Sequence, residues 1–240
     1  MSRMFPFITA TINPIGGKCF YDCYGLKCWA KDYSTRLKME KYMKEEPYIV
    51  WKELDRKFKD SDFVFIGDMN DHLGSWVPSD YIKTTIDLLC RTQPHIRFLW
   101  HTKNAHRYGQ LWEEGIEFPN NCTLGCTVET NRAYQGISKA VYAPIRLQQM
   151  ALLKAFGITN QILLTAEPII DFDLEPMAKG FIAVKPWAVA IGYDNYGCNL
   201  PEPSLEKTLQ LIAKLEADGI TVYRKTLREP YSPIHMTSGE

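Results

Sequence analysis

The sequence lacks the features that mark several specialised classes of protein. It has no excess of either charge, because lysine plus arginine and aspartate plus glutamate number 28 each among 240 residues. No global electrostatic field therefore draws the chain to nucleic acid or to a membrane surface, although local basic patches are compatible with this balance. The sequence has no apolar run long enough to span a bilayer, and no internal repeat or low-complexity segment.

The sequence also lacks the cysteine pattern of a secreted protein. Its seven cysteines are an odd number, and three of them fall within ten residues, which does not fit a framework of disulfides. Residues 1–7 contain neither an apolar h-region nor a cleavage site. We therefore expect a protein of the reducing cytoplasm without a membrane segment.

What the sequence does contain is an alternation of short apolar runs with longer helix-like segments. A length of 240 residues is common for one barrel domain, and no stretch reads as a linker between two domains. Strands are predicted at 7–13, 63–67, 97–101, 121–129, 161–167 and 187–192, with a short seventh at 220–223. We expect an α/β fold: one domain over residues 1–240, built as a partial (β/α)6 TIM-like barrel of parallel strands that is open on one side.

Helices are predicted between these strands from periodicity and from their start and stop residues. They cover 29–46 (where Pro47 stops the first), 79–93, 104–114, 144–157 and 204–218. Residues 48–58 fit either a helix or a strand.

A loop rich in cysteine and glycine follows the first predicted strand. Cys19, Cys23 and Cys28 are spaced Cys-x3-Cys-x4-Cys, and thiolates are soft ligands that select zinc, copper(I) or iron–sulfur clusters. A closed zinc site takes four ligands, usually as two close pairs. Three cysteines without a fourth Cys or His nearby favour a cluster that keeps one iron open. The alternative is a zinc site that borrows a distant cysteine.

The residues around these cysteines are similar to a known family. Asn-Pro, a glycine, the Cys-x3-Cys pair, a third Cys, an aromatic residue and Ala follow one another in 13–30. This order resembles the cluster loop of the radical S-adenosylmethionine (radical SAM) superfamily, and most closely its phage-protein-like branch near spore photoproduct lyase. The usual spacing there is Cys-x3-Cys-x2-Cys, so this loop has two additional residues before Cys28, and Lys27 stands where the family favours an aromatic. The resemblance implies that the three thiolates bind three irons of a 4Fe–4S cluster.

Polar residues follow every one of the six main predicted strands. In barrels of βα units the chemistry collects at the C-terminal ends of the strands, so these residues are expected around one cavity. They are Asn13; Asp68, Asn70 and Asp71; His101, Thr102 and Lys103; Glu129, Asn131 and Arg132; Glu167; and Tyr193, Asp194, Asn195 and Tyr196.

Three of these strand ends also resemble the superfamily. Phe-Ile-Gly-Asp-Met-Asn-Asp, Leu-Gly-Cys-Thr-Val-Glu-Thr-Asn and Thr-Ala-Glu-Pro are similar to its second-, fourth- and fifth-strand segments, which hold S-adenosylmethionine (SAM). The resemblance implies SAM contacts from Asp68, Thr127, Glu129 and Glu167, with Glu129 accepting from both ribose hydroxyls. Two plainer interpretations stay open, in which Asp68 and Asp71 cap the following helix, and Glu129 pairs with Arg132 at the surface.

Two other groups of residues have more than one interpretation. Cys122 and Cys126 have the spacing of a ligand pair, but even spacing in a strand places them on one face, opposite Thr127. We interpret them as buried core residues. His101 and Lys103 lie on one side of the third strand, where they either bind a substrate anion or only close the mouth of the barrel.

The resemblance implies a reaction as well as a site. A cluster reduced by an external flavodoxin- or ferredoxin-like donor would cleave SAM to methionine and a 5′-deoxyadenosyl radical, which takes hydrogen from an unknown small-molecule or nucleobase substrate. Cys198 follows the sixth strand, and some relatives near spore photoproduct lyase use a cysteine as hydrogen-atom donor; the alternative is a loop cysteine without a role. Two rival classes remain, a zinc-stabilised binding module and an iron–sulfur electron carrier or sensor without SAM cleavage.

Overall fold

Parallel strands form the main sheet in the computed structural model, which describes residues 5–230. The strands of that part of the chain are β1 (Ala10–Ile12), β2 (Ile15–Gly16), β3 (Tyr48–Ile49), β4 (Phe63–Ile66), β5 (Arg97–Thr102), β6 (Cys122–Thr127), β7 (Ile162–Ala166), β8 (Ala188–Ile191) and β9 (Thr221–Arg224). The α-helices are α1 (Trp29–Arg36), α2 (Trp51–Leu54), α3 (Ser79–Thr85), α4 (His106–Glu113), α5 (Ala143–Leu152), α6 (Leu174–Val184) and α7 (Leu205–Ala217).

The main sheet has seven strands in the order β1-β4-β5-β6-β7-β8-β9, and every neighbouring pair is parallel. Strand order therefore follows chain order, as in a barrel of successive βα units. The two outer strands, β1 and β9, do not pair with each other, so the barrel is partial and open. The predicted fold class is confirmed, including the short seventh strand. The small antiparallel sheet of β2 and β3 was not expected.

Strands β4, β6, β7 and β8 are buried along their whole length, and strands buried on both faces are largely apolar. The outer face packs on the helices and includes Val64, Phe98 and Leu164. The inner face includes Phe65 and Leu99, because successive side chains of a strand point to opposite faces.

Aromatic side chains fill the inner face at the N-terminal ends of the strands. The ring of Phe7 lies 5.3 Å from Phe63, 5.3 Å from Trp187 and 4.8 Å from Tyr223. This cluster closes the floor of the barrel. At the C-terminal ends the inner face carries polar side chains, among them His101 and Thr127.

The first helix is shorter than predicted. It ends at Arg36 instead of Glu46, because Lys38 takes a left-handed conformation with φ 50°. The amide of Met39 then donates to the carbonyl of Ser34 at 2.9 Å, which closes the last turn as such caps do. The fifth helix likewise ends at Leu152, five positions before the predicted end.

Helix α6 was missed because its sequence contains two residues that disfavour helices. Pro176 lies in the first turn, where a missing amide hydrogen costs nothing. Gly180 faces Leu147 of α5, and a Cβ at that position would lie 2.5 Å from a Leu147 methyl carbon. The glycine thus permits the close packing of α5 on α6. Within residues 5–230, no helix is long and apolar enough to cross a membrane.

Candidate functional site

A cavity of about 180 Å³ lies at the C-terminal ends of β4, β5 and β6. The three clustered cysteines line it together with the loop after β4 and the ends of β5 and β6. The ends of β4, β5 and β6 thus share one cavity with the cysteine loop that follows β1.

The cysteine loop contains a left-handed turn, and cysteines on both sides of this turn line the cavity. Tyr24 and Gly25 have φ angles of 57° and 64°, and Asp22 has φ 45°. Glycine adopts this conformation freely, whereas a tyrosine or aspartate does so only when its surroundings hold it there. The turn lies between Cys23 and Cys28, so that both of these thiols line the same cavity as Cys19.

A segment that we call the strap, residues 137–140 between β6 and α5, clamps this loop. The amide of Tyr24 donates to the carbonyl of Ile137 at 2.6 Å, and the amide of Lys139 donates to the carbonyl of Tyr21 at 2.6 Å. The two hydrogen bonds hold the loop against the barrel.

Burial keeps two of the loop thiols protonated. It raises the pKa of Cys19 to about 12, and it raises the pKa of Cys23 although Lys103 opposes the shift. The sulfur of Cys23 also lies 3.2 Å from the hydroxyl oxygen of Ser138. A metal ion would have to displace these protons to bind.

All seven cysteines are free, as expected for a protein without a disulfide framework. Within the part of the chain that the structure describes, no three His, Cys, Asp or Glu side chains form a group that would hold a single metal ion. Cys122 and Cys126 are buried in the outer core, which confirms their interpretation as core residues.

Asp68 lines the cavity at the end of β4. The side-chain amide of Asn13 donates to it at 2.5 Å. Burial raises the pKa of this carboxyl, and the hydrogen bond from Asn13 opposes the shift. Asp68 does not cap a helix, because the next one, α3, begins only at Ser79.

Asp71 joins the β4 loop to the end of β5. Its carboxylate accepts from the hydroxyl of Thr102 at 2.8 Å and from the amides of Lys103 at 2.8 Å and Leu73 at 2.9 Å. Burial raises its pKa. The sequence indicated Asp71 as a polar strand end or a helix cap. In the structure its hydrogen bonds connect two walls of the cavity.

Glu129 is 2% exposed, and both of its carboxylate oxygens accept hydrogen bonds. Arg146 donates to one carboxylate oxygen at 2.6 Å, while the hydroxyl of Tyr24 donates to the other at 2.7 Å and the ammonium of Lys103 also contacts it. Burial alone would raise the pKa of Glu129, but Arg146 and Lys103 hold it well below its ordinary value. The carboxylate lies behind Lys103, which lines the cavity.

Arg132 is not the partner of Glu129. It forms ion pairs with Asp171 and, at 2.5 Å, with Asp173. The surface-pair interpretation of Glu129 is therefore wrong. Sequence reasoning missed Arg146 because the arginine lies on α5 and not at a strand end.

His101 and Thr127 also line the cavity. His101 stacks on Phe65 with ring centroids 5.9 Å apart, and its Nε2 lies 3.1 Å from the hydroxyl of Thr165. Burial, with Lys103 nearby, lowers the pKa of His101 to about 3. The imidazole is therefore neutral at physiological pH and does not offer a cation to an anionic ligand.

Glu167 at the end of β7 is not among the residues that line this cavity. It forms an ion pair with Lys225, whose ammonium lies 4.8 Å above the ring of Phe5. Burial raises the pKa of Glu167, and Lys225 opposes the shift. Lys225 follows β9, so extending the search for polar strand ends to the seventh strand would have found it.

Cys198 lies beside the cysteine loop and packs against the cluster of Tyr21, Cys23 and Tyr24. Its amide donates to Asp194 at 2.5 Å. Burial and the Asp194 carboxylate raise the pKa of this thiol to about 12. Cys198 lies 171 positions after Lys27, so its proximity to the cysteine loop could not be predicted from sequence spacing.

Comparison with known proteins places the chain in a family. Residues 4–157 match the family model described as "Protein of unknown function (DUF5131)". The chain belongs to this family. No curated protein matches it.

Solved structures of SuiB from Streptococcus suis are similar in fold. SuiB bound to S-adenosylmethionine has a TM-score of 0.51 and 12% identity, covering 92% of this chain and 50% of that one. SuiB bound to precursor peptide SuiA has a TM-score of 0.53 and 11% identity, covering 92% of this chain and 49% of that one. The chain thus spans about half the length of the SuiB chains that it matches. At these identities the likeness concerns the fold.

Proposed function

We propose that this chain is a radical SAM enzyme whose cysteine loop holds a 4Fe–4S cluster and whose cavity binds SAM beside it. The observation that carries the proposal is that Cys19, Cys23 and Cys28 line one cavity with the ends of β4, β5 and β6. The resemblance of the loop and strand ends to the superfamily supports it, as does the fold likeness to SuiB, which has been crystallised with SAM.

The donor set fits such a cluster. Three thiols leave one iron of a four-iron cluster without a protein ligand, and Fe–S clusters take cysteine thiolates as ligands. When bound and reduced, the cluster would supply the electron that cleaves SAM to methionine and a 5′-deoxyadenosyl radical. The residues of the chain would orient the two cofactors and exclude water.

The lining of the cavity fits the amino-acid end of SAM. The Oδ1 atom of Asn70 is buried without a partner among residues 5–230, and Asn70 lines the cavity. A buried acceptor of this kind needs a donor, which an ammonium group provides. Asp68 would add a carboxylate beside it, and Lys103 would offer a cation to the SAM carboxylate.

The four proposed SAM contacts have different access to the cavity. Asp68 and Thr127 line it directly. A contact from Glu129 to the ribose requires Tyr24 or Lys103 to give up its hydrogen bond to that carboxylate. Glu167, which ends β7 and pairs with Lys225, would contact SAM only where the ligand extends beyond this cavity.

We further propose that the chain acts as one domain, since β1 and β9 belong to one sheet, and that it takes electrons from a flavodoxin- or ferredoxin-like donor. The substrate would be a small molecule or a nucleobase. SuiB has been crystallised with a precursor peptide, so a peptide is a further class to test.

Anaerobic reconstitution with iron and sulfide tests the cluster. The protein should bind about four irons with matching sulfide, as one such cluster requires. The triple variant Cys19→Ala, Cys23→Ala, Cys28→Ala should lose them, whereas Cys90→Ala, which changes a buried core cysteine, should keep them. Stoichiometric zinc without iron uptake would instead establish the zinc-stabilised module.

Reductive cleavage tests the reaction. The reconstituted protein, reduced and supplied with SAM, should release 5′-deoxyadenosine, measured by liquid chromatography. An intact cluster that never yields this product would establish the electron carrier or sensor.

A further inference from the structure

Three separate parts of the chain meet at one hydroxyl group behind the cavity. The hydroxyl of Tyr24, from the cysteine loop, donates to Glu129 after β6 at 2.7 Å. Lys103, at the end of β5, donates to the same hydroxyl at 2.5 Å, and its ammonium lies 4.8 Å from the Tyr24 ring centroid. The cysteine loop is therefore tied to two barrel strands through one side chain.

Helix α5 fixes the carboxylate at the centre of this network. Arg146 donates to Glu129 at 2.6 Å, to the carbonyl of Thr127 and to the carbonyl of Val141 at 2.8 Å. Glu129 and Arg146 are 2% and 3% exposed. Since a buried charge that loses a partner is costly, the arrangement is rigid.

Tyr24 lies in the part of the loop that is longer than usual. Cys23 and Cys28 are separated by four residues, and the first two of these, Tyr24 and Gly25, form the left-handed turn. The turn buries the Tyr24 side chain to 8% exposure, against the barrel and behind the cavity. The segment between Cys23 and Cys28 thus supplies both the turn and the side chain that fastens it.

We propose that Tyr24 is a positioning residue, which Glu129 and Lys103 lock in place so that the cysteine loop is held in its binding conformation before any metal arrives. The importance of this positioning for catalysis rests on the proposed function, in which the loop holds a cluster. The lock itself is a property of the metal-free chain and can be measured there.

The variant Tyr24→Phe keeps the ring and removes only the hydroxyl. Hydrogen exchange of the metal-free protein, followed by mass spectrometry on peptides that cover residues 18–29, should be faster by about tenfold or more, as the loss of a hydrogen bond to a charged group implies. Exchange in β4 to β8 should stay as in the unchanged protein. Tyr21→Phe is the matched control, since its hydroxyl is not part of the network, and it should leave loop exchange unchanged.

A change at Glu129 provides the comparison for general destabilisation. Glu129→Gln leaves Arg146 and Lys103 without their buried counter-ion, so exchange should become faster over the whole sheet, whereas in Tyr24→Phe it should become faster in the loop alone. Loop exchange that is the same in Tyr24→Phe and the unchanged protein would overturn the proposal. So would faster exchange in Tyr24→Phe that is spread evenly over the whole sheet.

A second readout uses the reconstituted protein. In Tyr24→Phe a chelator should remove iron several-fold faster, and the electron paramagnetic resonance spectrum of the reduced cluster should shift or broaden. Identical iron release and spectra would count against positioning. If neither protein takes up iron, the proposed function fails, while the exchange experiment still decides whether the lock exists.

Discussion

Asn13 and Asp68 join the ends of the first two strands of the main sheet through a hydrogen bond of 2.5 Å between their side chains. The side-chain oxygen of Asn13 also accepts from the amide of Met69 at 3.2 Å. Since β1 and β4 are parallel neighbours, their C-terminal ends meet at the same edge. This contact ties the start of the cysteine loop to the wall that Asp68 forms.

Replacement of Asn13 by alanine should weaken SAM binding while leaving the cluster in place. Loss of one hydrogen bond to a charged group costs about 1.5–3 kcal/mol, so the affinity should fall by roughly 10- to 150-fold if Asp68 contacts SAM. Anaerobic calorimetry with SAM would give the affinity, and the visible absorbance would report the cluster. Asn120→Ala, at the other end of the barrel beside β6, is the control. Unchanged affinity in Asn13→Ala would remove Asp68 from the binding site.

Cys28→Ala is the most informative single change in the cysteine loop, because the longer spacing precedes this residue. We expect it to abolish iron uptake, as measured by iron and sulfide analysis after reconstitution. Cys198→Ala should retain the cluster. The opposite result, iron retained in Cys28→Ala and lost in Cys198→Ala, would make Cys198 the third ligand, which its position beside the loop permits.

The role of Cys198 as a hydrogen-atom donor requires a known substrate. Once one is found, Cys198→Ala should still form 5′-deoxyadenosine and consume substrate, but should divert the substrate radical into side products, because nothing quenches it. Mass spectrometry of the products would show this. A clean, unaltered product would leave Cys198 as a loop cysteine without a chemical role.

The Glu129 network should make stability depend on pH. The folded pKa of Glu129 lies below its ordinary value, so its stabilising contribution is present above the unfolded pKa of about 4.3 and is lost as pH falls toward the folded pKa. At pH 7, Glu129→Gln should lower the unfolding free energy by about 3–5 kcal/mol, the cost of breaking a buried pair. Urea denaturation should show this difference shrinking below about pH 4.3. A difference that stays constant between pH 7 and pH 3 would contradict the ion pairs.

Local sequence was sufficient for the framework of this protein. A strand buried on both faces must be a continuous apolar run, and 63–66 and 162–166 show such runs plainly. Polar residues follow these runs because a chain that leaves a buried strand meets the cavity or solvent. Cys19, Cys23 and Cys28 could be placed at one cavity because residues that are close in sequence stay close in any fold.

Helix ends were less predictable than strands. Periodicity continues past Arg36, but the left-handed Lys38 stops the helix there. Leu147 explains why Gly180 belongs inside a helix. Both depend on how a segment packs, which a local pattern does not contain.

The partners of the charged groups were decided only by the tertiary structure. Tyr24 and Glu129 are 105 positions apart, and Lys225 and Glu167 are 58 apart. Such pairs form because parallel strands bring their C-terminal ends to one edge, whatever the length of chain between them. The sequence by itself determined which residues reach that edge, and the packing of strands and helices decided which of them meet, because a buried charge binds whichever opposite charge the fold places beside it.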